Sequence, residues 1–369
     1  MKTPAARNAA SPLEKGDKSP YRRPAVLRNL RLQIRFQMVL FTFILGSFLF
    51  LTVQPMAAQS STYALIVSSA SGNSEFKEKF WNWSSQMAQI LKEEMRVPRE
   101  NIVLLTEDPS MNTTLVNGKA TKAELAKAFD GLVGKVPADG QLLVFLIGHG
   151  SFDGVDYKFN LVGPDATAAE LKSWLDRFEK RRVVLVSSTP CSGVLAKTLS
   201  RNGRVVITAT KSEFESNDTI FGQFFVEAFK NKAADTDKNS EVSMLEAYLY
   251  TAQRVEAWYK EQGRLATEHP LLEDTGDANG VPRPSPANGE GLLAAKVSLH
   301  ASSTALATTG GSSPELQALA AEKQRLEGAI QDLKYKKATV PEGEYNKQME
   351  RLLIQLAQTN QKMNAAGKK

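Results

Sequence analysis

The side chains in this sequence that are best suited to chemistry are one thiol and one imidazole. Cys191 is the only cysteine, and it follows an apolar run at residues 183–186. A single cysteine forms neither an internal disulfide nor a thiolate metal cage, so its chemistry is that of a free thiol. His149 stands 42 residues earlier, after a second apolar run at residues 142–147, and Gly150 follows it. A thiol with a histidine base is a nucleophile.

This pair supports acyl transfer through a thioester. A cysteine attacks as its thiolate, and an imidazole takes the thiol proton and later protonates the leaving amine. We therefore predict His149 and Cys191 as catalytic residues. The N–H groups of Gly150 and Cys191 are the predicted oxyanion hole, since glycine lets the backbone approach a substrate closely. The alternative is that Cys191 is a small buried apolar residue, the usual role of a free cysteine.

The elements that must position this pair follow from apolar periodicity. Short apolar runs predict strands at residues 63–67, 102–105, 141–147, 182–187 and 204–209. Amphipathic patterns predict helices at residues 76–95, 122–132 and 168–178, with Thr121 and Thr167 as N-caps of the last two. Such alternation predicts an α/β fold with a mostly parallel sheet covered by helices on both faces. His149 and Cys191 then follow the carboxyl ends of two central strands, where open α/β sheets bind ligands.

The order of these features resembles that of the caspase and legumain clan of cysteine peptidases. In this sequence and in that clan, a strand ends in His-Gly. A later strand then leads through a small residue or proline to the cysteine. The Gln-Ala pair that precedes the cysteine in caspases is absent. Residues 191–193 (Cys-Ser-Gly), the interval from histidine to cysteine, and residues 208–210 (Thr-Ala-Thr) resemble the legumain-like branch, including its bacterial members. The resemblance covers residues 62–262.

The resemblance implies a caspase-like three-layer sandwich and cleavage of peptide bonds through a thioester on Cys191. Legumains bind a P1 asparagine with an arginine on the first helix, an acidic residue two positions before the cysteine, and a second acid further on. Here Lys79 stands near the arginine position and Thr189 replaces the first acid, so strict asparagine preference is not implied. We assign Lys79, Thr210 and Ser212 to substrate binding; an exposed helical lysine is the alternative for Lys79.

The net charge of +6 belongs to the first 58 residues, which contain nine basic and two acidic side chains and leave −1 for residues 59–369. We therefore expect no nucleic-acid partner. The apolar stretch 38–53 and the Pro-Met-Ala-Ala sequence at 55–58 follow a basic region. This order predicts a secretory signal peptide and an exported protein, periplasmic or extracellular. An uncleaved anchor that tethers the protein to the inner membrane is the alternative.

The amino-acid composition changes in the last third of the chain. Residues 269–313 are rich in Pro, Gly, Ser, Ala and Asn, which predicts a flexible linker after a catalytic domain of residues 59–268. Residues 314–337 and 341–363 then carry apolar side chains at helical spacing, which predicts a helical hairpin over residues 314–365. Self-packing of its apolar stripe is the favoured interpretation. A protein partner or self-association is the alternative.

Residues 235–246 offer a possible calcium loop. From Asp235 to Glu246, oxygen side chains stand at positions 1, 3, 5 and 12 of such a loop, but the sixth position is Ser240 rather than glycine. A polar turn before a helix, with a capping box from Ser243 and Glu246, explains the same residues. We favour the turn and expect no cofactor.

The other two histidines, His269 and His300, lie in or beside the predicted linker, where we expect them to be solvated. Neither has acidic or sulfur partners at metal-ligand spacing, so we expect no zinc site.

The leading hypothesis is therefore an exported cysteine endopeptidase that acts on peptide or protein substrates. One alternative is a binding or assembly protein in which a caspase-like domain presents the hairpin to partners. Another is a transamidase that delivers the same thioester to an amine.

Overall fold

The computed structural model describes residues 62–298 and 314–366, apart from residues 139, 237, 240, 286 and 338. The strands are β1 (Thr62–Ser68), β2 (Ile102–Thr106), β3 (Gly118–Lys119), β4 (Gln141–Ile147), β5 (Gly150–Phe152), β6 (Tyr157–Phe159), β7 (Ala166–Thr167), β8 (Arg182–Ser187), β9 (Arg204–Thr208) and β10 (Leu271–Glu273). The α-helices are α1 (Ser74–Gln89), α2 (Lys122–Lys135), α3 (Ala168–Asp176), α4 (Gly193–Thr198), α5 (Phe221–Phe229), α6 (Met244–Glu261), α7 (Leu292–Lys296), α8 (Pro314–Tyr335) and α9 (Glu342–Ala366).

Seven strands form the main sheet, in the order β10-β9-β8-β4-β1-β2-β3. All neighbours are parallel except β10, which runs antiparallel to β9. The register aligns Thr62 with Gln141 and Gln141 with Arg182, so β1, β4 and β8 end together at one edge. The mostly parallel sheet is confirmed. A second, antiparallel sheet of β5, β6 and β7 was not predicted.

Helices cover both faces of the main sheet. Alternate strand residues such as Ile66 and Phe145 pack with α1, α5, α6 and α7 on one face. Their neighbours, such as Leu65 and Val144, pack with α2, α3 and α4 on the other face. Each large apolar side chain buried in this way contributes roughly 1.5–3 kcal/mol to folding. The predicted three-layer α/β sandwich is therefore confirmed.

Side-chain caps begin several of the helices. The hydroxyl groups of Thr121 and Thr167 accept the N–H groups of the residues three positions later, as predicted. Ser243 and Glu246 form the predicted capping box at the start of α6. The Glu246 carboxylate also accepts the N–H and hydroxyl of Thr236, which ties the polar turn to the helix. Such caps typically contribute about 1 kcal/mol each.

The predicted flexible linker is wrong over residues 269–298. This segment contains β10 and α7, and an isolated bridge joins Ser243 to Ser298. Acidic side chains hold its polar backbone: Glu290 accepts the N–H of Asp274, and Asp274 accepts the N–H of Gly291. The folded domain therefore extends to residue 298. Residues 299–313, which include His300, and the predicted signal peptide lie outside the described residues.

The C-terminal helices form the predicted hairpin. Helix α8 packs against α9 and also against α7, and Leu326, Ile330 and Leu333 of α8 are buried. Lys296 of α7 forms an ion pair of 2.9 Å with Asp332 of α8. Self-packing thus covers α8, and this helix rests on the sandwich. Among the helices in the described ranges, none is long and apolar enough to cross a membrane.

Candidate active site

His149 and Cys191 lie beyond the ends of two adjacent strands. β4 ends at Ile147 and β8 ends at Ser187, and these strands pair in parallel from Gln141 opposite Arg182 onward. The two residues therefore stand at the same sheet edge, as predicted from the apolar runs.

Gly148 makes the turn that carries His149 out of the sheet. Its φ of +123° is a backbone conformation that side chains disfavour, and a Cβ there would lie 2.0 Å from Oγ of Ser69. That same hydroxyl accepts the N–H of His149 at 2.8 Å. Only glycine fits between β1 and β4 at this point, so Gly148 and Ser69 together fix where His149 emerges.

Aromatic rings and one carboxylate surround the His149 imidazole. Its ring meets Phe76 and Phe80 edge to face, with centroids 4.6 and 4.9 Å away. Its Nδ1 lies 3.4 Å from Oδ1 of Asp218, and 26% of the side chain is exposed. The imidazole is thus held in one plane and keeps access to solvent or substrate.

Cys191 is buried, with 2% of its surface exposed, and its φ is +59°. A left-handed conformation costs a residue with a Cβ roughly 1–2 kcal/mol. Burial raises the pKa of its thiol, the nearby N–H of Phe152 lowers it, and the charge of Glu213 raises it further; the net direction is upward. The resting sulfur is therefore a thiol at neutral pH, and its attack on a carbonyl requires a base.

Gly150 brings the two strand ends into contact. A Cβ at this position would lie 2.8 Å from both Thr189 Oγ1 and Tyr157 Oη, and 2.9 Å from the carbonyl oxygen of Pro190. Tyr157 and Thr189 are fully buried, and their hydroxyl groups lie 2.7 Å apart. The segment that leads into Cys191 is thus packed directly against the residue that follows His149.

The antiparallel ladder leaves the Gly150 N–H pointing away from β6. The N–H of Asn160 donates to the carbonyl of His149 at 3.2 Å, and Gly150 is opposite Phe159 in the next, non-bonded pair. This direction is compatible with the predicted role of the Gly150 N–H in an oxyanion hole.

The N–H of Cys191 is occupied in this structure. It donates to the backbone carbonyl of Glu215 at 2.9 Å. The Glu215 carboxylate is held in turn by the N–H groups of Lys211 and His269, at 2.9 and 3.1 Å, and lies 2.5 Å from Nδ1 of His269. We call residues 211–216 the strap. The Cys191 N–H can serve an oxyanion only if the strap moves.

His149 and Cys191 follow neighbouring strands, but no hydrogen bond joins them in the described part of the chain. Within the described part of the chain, the His149 ring contacts Phe76, Phe80 and Asp218, and no hydrogen bond links it to the Cys191 sulfur. Such bonds are commonly loose in unliganded enzymes and tighten with substrate.

The three residues assigned to substrate binding occupy different surroundings. Lys79 donates to the carbonyl of Thr219 at 3.3 Å and lies over the ring of Trp83. Burial lowers the pKa of Lys79, although Asp218, Glu268 and Glu75 oppose this. The alternative of an exposed helical lysine is therefore wrong.

Thr210 and Ser212 contact the turn that follows Cys191. Thr210 is fully buried, and its hydroxyl accepts the N–H of Gly193 at 2.9 Å and donates to the carbonyl of Ser212. A Cβ at Gly193 would lie 2.2 Å from the backbone of Lys211 and Ser212. These contacts connect the strap to the turn after Cys191, and they give Thr210 a structural role.

Four residues around the site were not predicted from the sequence: Asp218, Glu215, His269 and Glu268. The first two lie between β9 and α5 in a polar stretch without periodicity, so no local pattern marks them. His269 was expected to be solvated, yet it binds Glu215. Glu268 is buried at the start of α5, where it accepts the N–H groups of Ile220 and Phe221.

One group of acids in the described residues is close enough to share a metal ion. Oxygen atoms of Glu273, Asp277 and Glu290 lie within 4.8 Å of one another. Burial raises the pKa of Glu290, which also interacts with Asp274. Backbone N–H groups also donate to this group: that of Asp274 to Glu290 and that of Gly276 to Glu273.

Comparisons with known proteins add little to this geometry. No family model matches the chain, and no curated protein matches it. Among solved structures, it is similar to the crystal structure of protein GSU0716 from Geobacter sulfurreducens, with a TM-score of 0.38 and 14% identity, covering 61% of this chain and 95% of that chain. A likeness this weak carries no argument about function.

Proposed function

We propose that this protein is a cysteine peptidase of the caspase and legumain type, with Cys191 as nucleophile and His149 as base and then acid. The observation that carries the proposal is the placement of His149 and Cys191 at the ends of the paired strands β4 and β8, with Gly150 packed against Pro190 between them. Cys191 also packs with the apolar side chains on one face of the sheet. A thiol and an imidazole at one ligand-binding edge form an acyl-transfer pair.

The reaction would run through two acyl transfers. The Cys191 thiol gives its proton to His149, and the sulfur attacks the peptide carbonyl carbon. The tetrahedral intermediate collapses as the C–N bond breaks, and His149 gives its proton to the leaving amine. Water then attacks the thioester, and its proton passes to His149. Breakage of the C–S bond releases a carboxylic acid, and the proton on His149 returns to the sulfur.

The oxyanion in both steps would be bound by the N–H of Gly150 and, after release of the Glu215 carbonyl, by the N–H of Cys191. A preorganised donor of this kind is worth about 3–4 kcal/mol of transition-state stabilisation. The structure therefore corresponds to a closed state of the proposed enzyme. Substrate binding must open the strap before acylation.

The test is a peptide-library cleavage assay on the full chain, with Cys191→Ala as the control. We expect cleavage by the wild-type protein, none by Cys191→Ala, and a specificity profile that is not restricted to asparagine at P1. Adding a nucleophilic amine distinguishes hydrolysis from transamidation, because a transamidase would yield the ligated product. Cleavage that survives Cys191→Ala would disprove the assignment of the nucleophile.

A binding or assembly protein is the second candidate, and two observations favour it. The thiol is buried and its N–H is occupied by Glu215. Leu353 and Ile354 on α9 are about half exposed, which leaves an apolar surface on the hairpin. If this candidate is correct, Cys191→Ala retains partner binding and cell phenotype, whereas Leu353→Asp loses both.

The proposed site of action is outside the cytoplasm. This rests on the basic and apolar segment at residues 1–58. Fractionation of cells that express the full chain, with mass spectrometry of its N-terminus, distinguishes a cleaved signal peptide from an anchor.

A further inference from the structure

We infer that Asp218 positions the imidazole of His149, so that the proposed catalytic pair is completed by a carboxylate from the loop before α5. The inference rests on the proposed function. Asp218 acts through His149 and does not touch substrate, so it is a positioning residue.

The contact between Asp218 and His149 involves only one ring nitrogen, Nδ1. Asp218 Oδ1 lies 3.4 Å from Nδ1 of His149, while Phe76 and Phe80 hold the plane of the ring. An imidazole whose Nδ1 faces a carboxylate carries its proton there, and Nε2 is left as the acceptor. The carboxylate thus selects the tautomer in which His149 can take a proton from sulfur.

Asp218 is itself anchored through the next residue. The hydroxyl of Thr219 donates to the carbonyl of Ser188 at 2.5 Å, just after β8. The carbonyl of Thr219 accepts a hydrogen bond from Lys79 at 3.3 Å. These two bonds tie the Asp218 backbone to the strand that leads to Cys191 and to helix α1, which carries the aromatic rings around His149.

A cationic side chain lies on the same side of the site as Asp218. The ammonium of Lys79 attracts both Asp218 and the buried Glu268. Lys79 thus has a structural reason to be near the site that does not require substrate contact. Asp218 is 53% exposed, so its effect on His149 is modest: about two- to fivefold in the rate of proton transfer, as for a single half-exposed charge pair.

The loop between β9 and α5 contacts both His149 and Cys191, but it does so through different residues. The strap holds the Cys191 N–H through Glu215, whereas Asp218 lies beyond it and is fixed by Thr219. Release of the Glu215 carbonyl therefore need not disturb the carboxylate at His149.

The test uses the fact that the chain has a single thiol and three histidines. Alkylation of the full chain by iodoacetamide, followed by mass spectrometry, reports Cys191 alone. Nitrogen NMR of histidine-labelled protein, assigned with His149→Ala, reports the tautomer of His149. The variants are Asp218→Asn, Asp218→Glu and, as a matched control, Glu213→Gln, which removes the same charge from the same loop without contacting the imidazole.

We expect Asp218→Asn to slow alkylation about two- to fivefold and to change the tautomer signal of His149. Asp218→Glu should restore part of the rate, and Glu213→Gln should not slow it. If Asp218→Asn leaves both rate and tautomer unchanged while His149→Ala slows alkylation, the role of Asp218 is refuted and the catalytic pair stands. If His149→Ala also alkylates at the wild-type rate, the proposed function fails instead.

Discussion

Glu268 offers a quantitative test of the buried charges beside the site. This carboxyl group is almost completely buried, and burial raises its pKa to about 7 from the ordinary 4.5, against the N–H groups of Ile220 and Phe221, the hydroxyl of Tyr259 and the charge of Lys79. The raised pKa means that the folded protein holds the Glu268 proton more tightly than the unfolded chain does.

The sign and size of the effect follow from proton linkage. A group whose folded pKa is raised stabilises the protein fully below its unfolded pKa, here 4.5, and that contribution disappears as the pH rises through about 7. The interval between these two values corresponds to roughly 3 kcal/mol. Glu268→Gln removes the titration while keeping a hydrogen-bond acceptor for α5.

Urea unfolding of the wild-type protein and Glu268→Gln over a pH series provides the assay. We expect the unfolding free energy of the wild type, relative to that of Glu268→Gln, to fall by roughly 3 kcal/mol between about pH 4 and about pH 8. Contributions of other groups cancel in this difference. If this difference in unfolding free energy does not change with pH, the pKa of Glu268 is not raised. If the difference grows with pH, the pKa of Glu268 is lowered by folding instead.

Three further predictions concern the cysteine and its neighbours. Gly150→Ala places a methyl group 2.8 Å from Thr189 Oγ1, so it should cost about 1–3 kcal/mol in urea unfolding and reduce peptide cleavage about a hundredfold by displacing the catalytic pair. Glu213→Gln removes a charge that raises the pKa of Cys191, so the pH profile of its alkylation should move to lower pH. Glu215→Gln weakens the pairing with His269 that holds the strap, so alkylation of Cys191 should be roughly tenfold faster.

Each of these has a clear contrary result. Gly131→Ala in α2, where a Cβ meets nothing within 4 Å, is the control for Gly150→Ala, and equal cleavage by both variants would contradict the packing argument. An unshifted pH profile of alkylation in Glu213→Gln would show that the Glu213 charge does not affect the pKa of Cys191. Slower alkylation in Glu215→Gln would mean that the strap increases the reactivity of the Cys191 thiol instead of blocking access to it.

The framework of the site could be predicted because its determinants are local. Strands that are buried on both faces read as continuous apolar runs, which is why β4 and β8, and hence the positions of His149 and Cys191, were visible in the sequence. Thr121, Thr167 and Ser243 were recognisable as caps for the same reason, since a cap and its partner lie within one turn of helix.

The remaining parts depend on tertiary contacts that have no local signal. Asp218 and Glu215 occupy a polar stretch whose conformation is set by Ser188, Cys191 and His269 from distant parts of the chain. β10 was mistaken for linker because it has only three residues and lies in a Pro- and Gly-rich region. Its order comes from pairing with β9 and from buried carboxylates, which composition does not reveal.

The most direct test of the central claim is to trap the thioester. The full chain is incubated with a peptide library, quenched in acid, digested and examined by mass spectrometry for acylation of Cys191. Our account predicts a peptide acyl group on the Cys191 sulfur of the wild-type protein, much less on that of His149→Ala, and no acylation of Cys191→Ala. Peptide cleavage without an acylated Cys191, or cleavage that persists in Cys191→Ala, would contradict it.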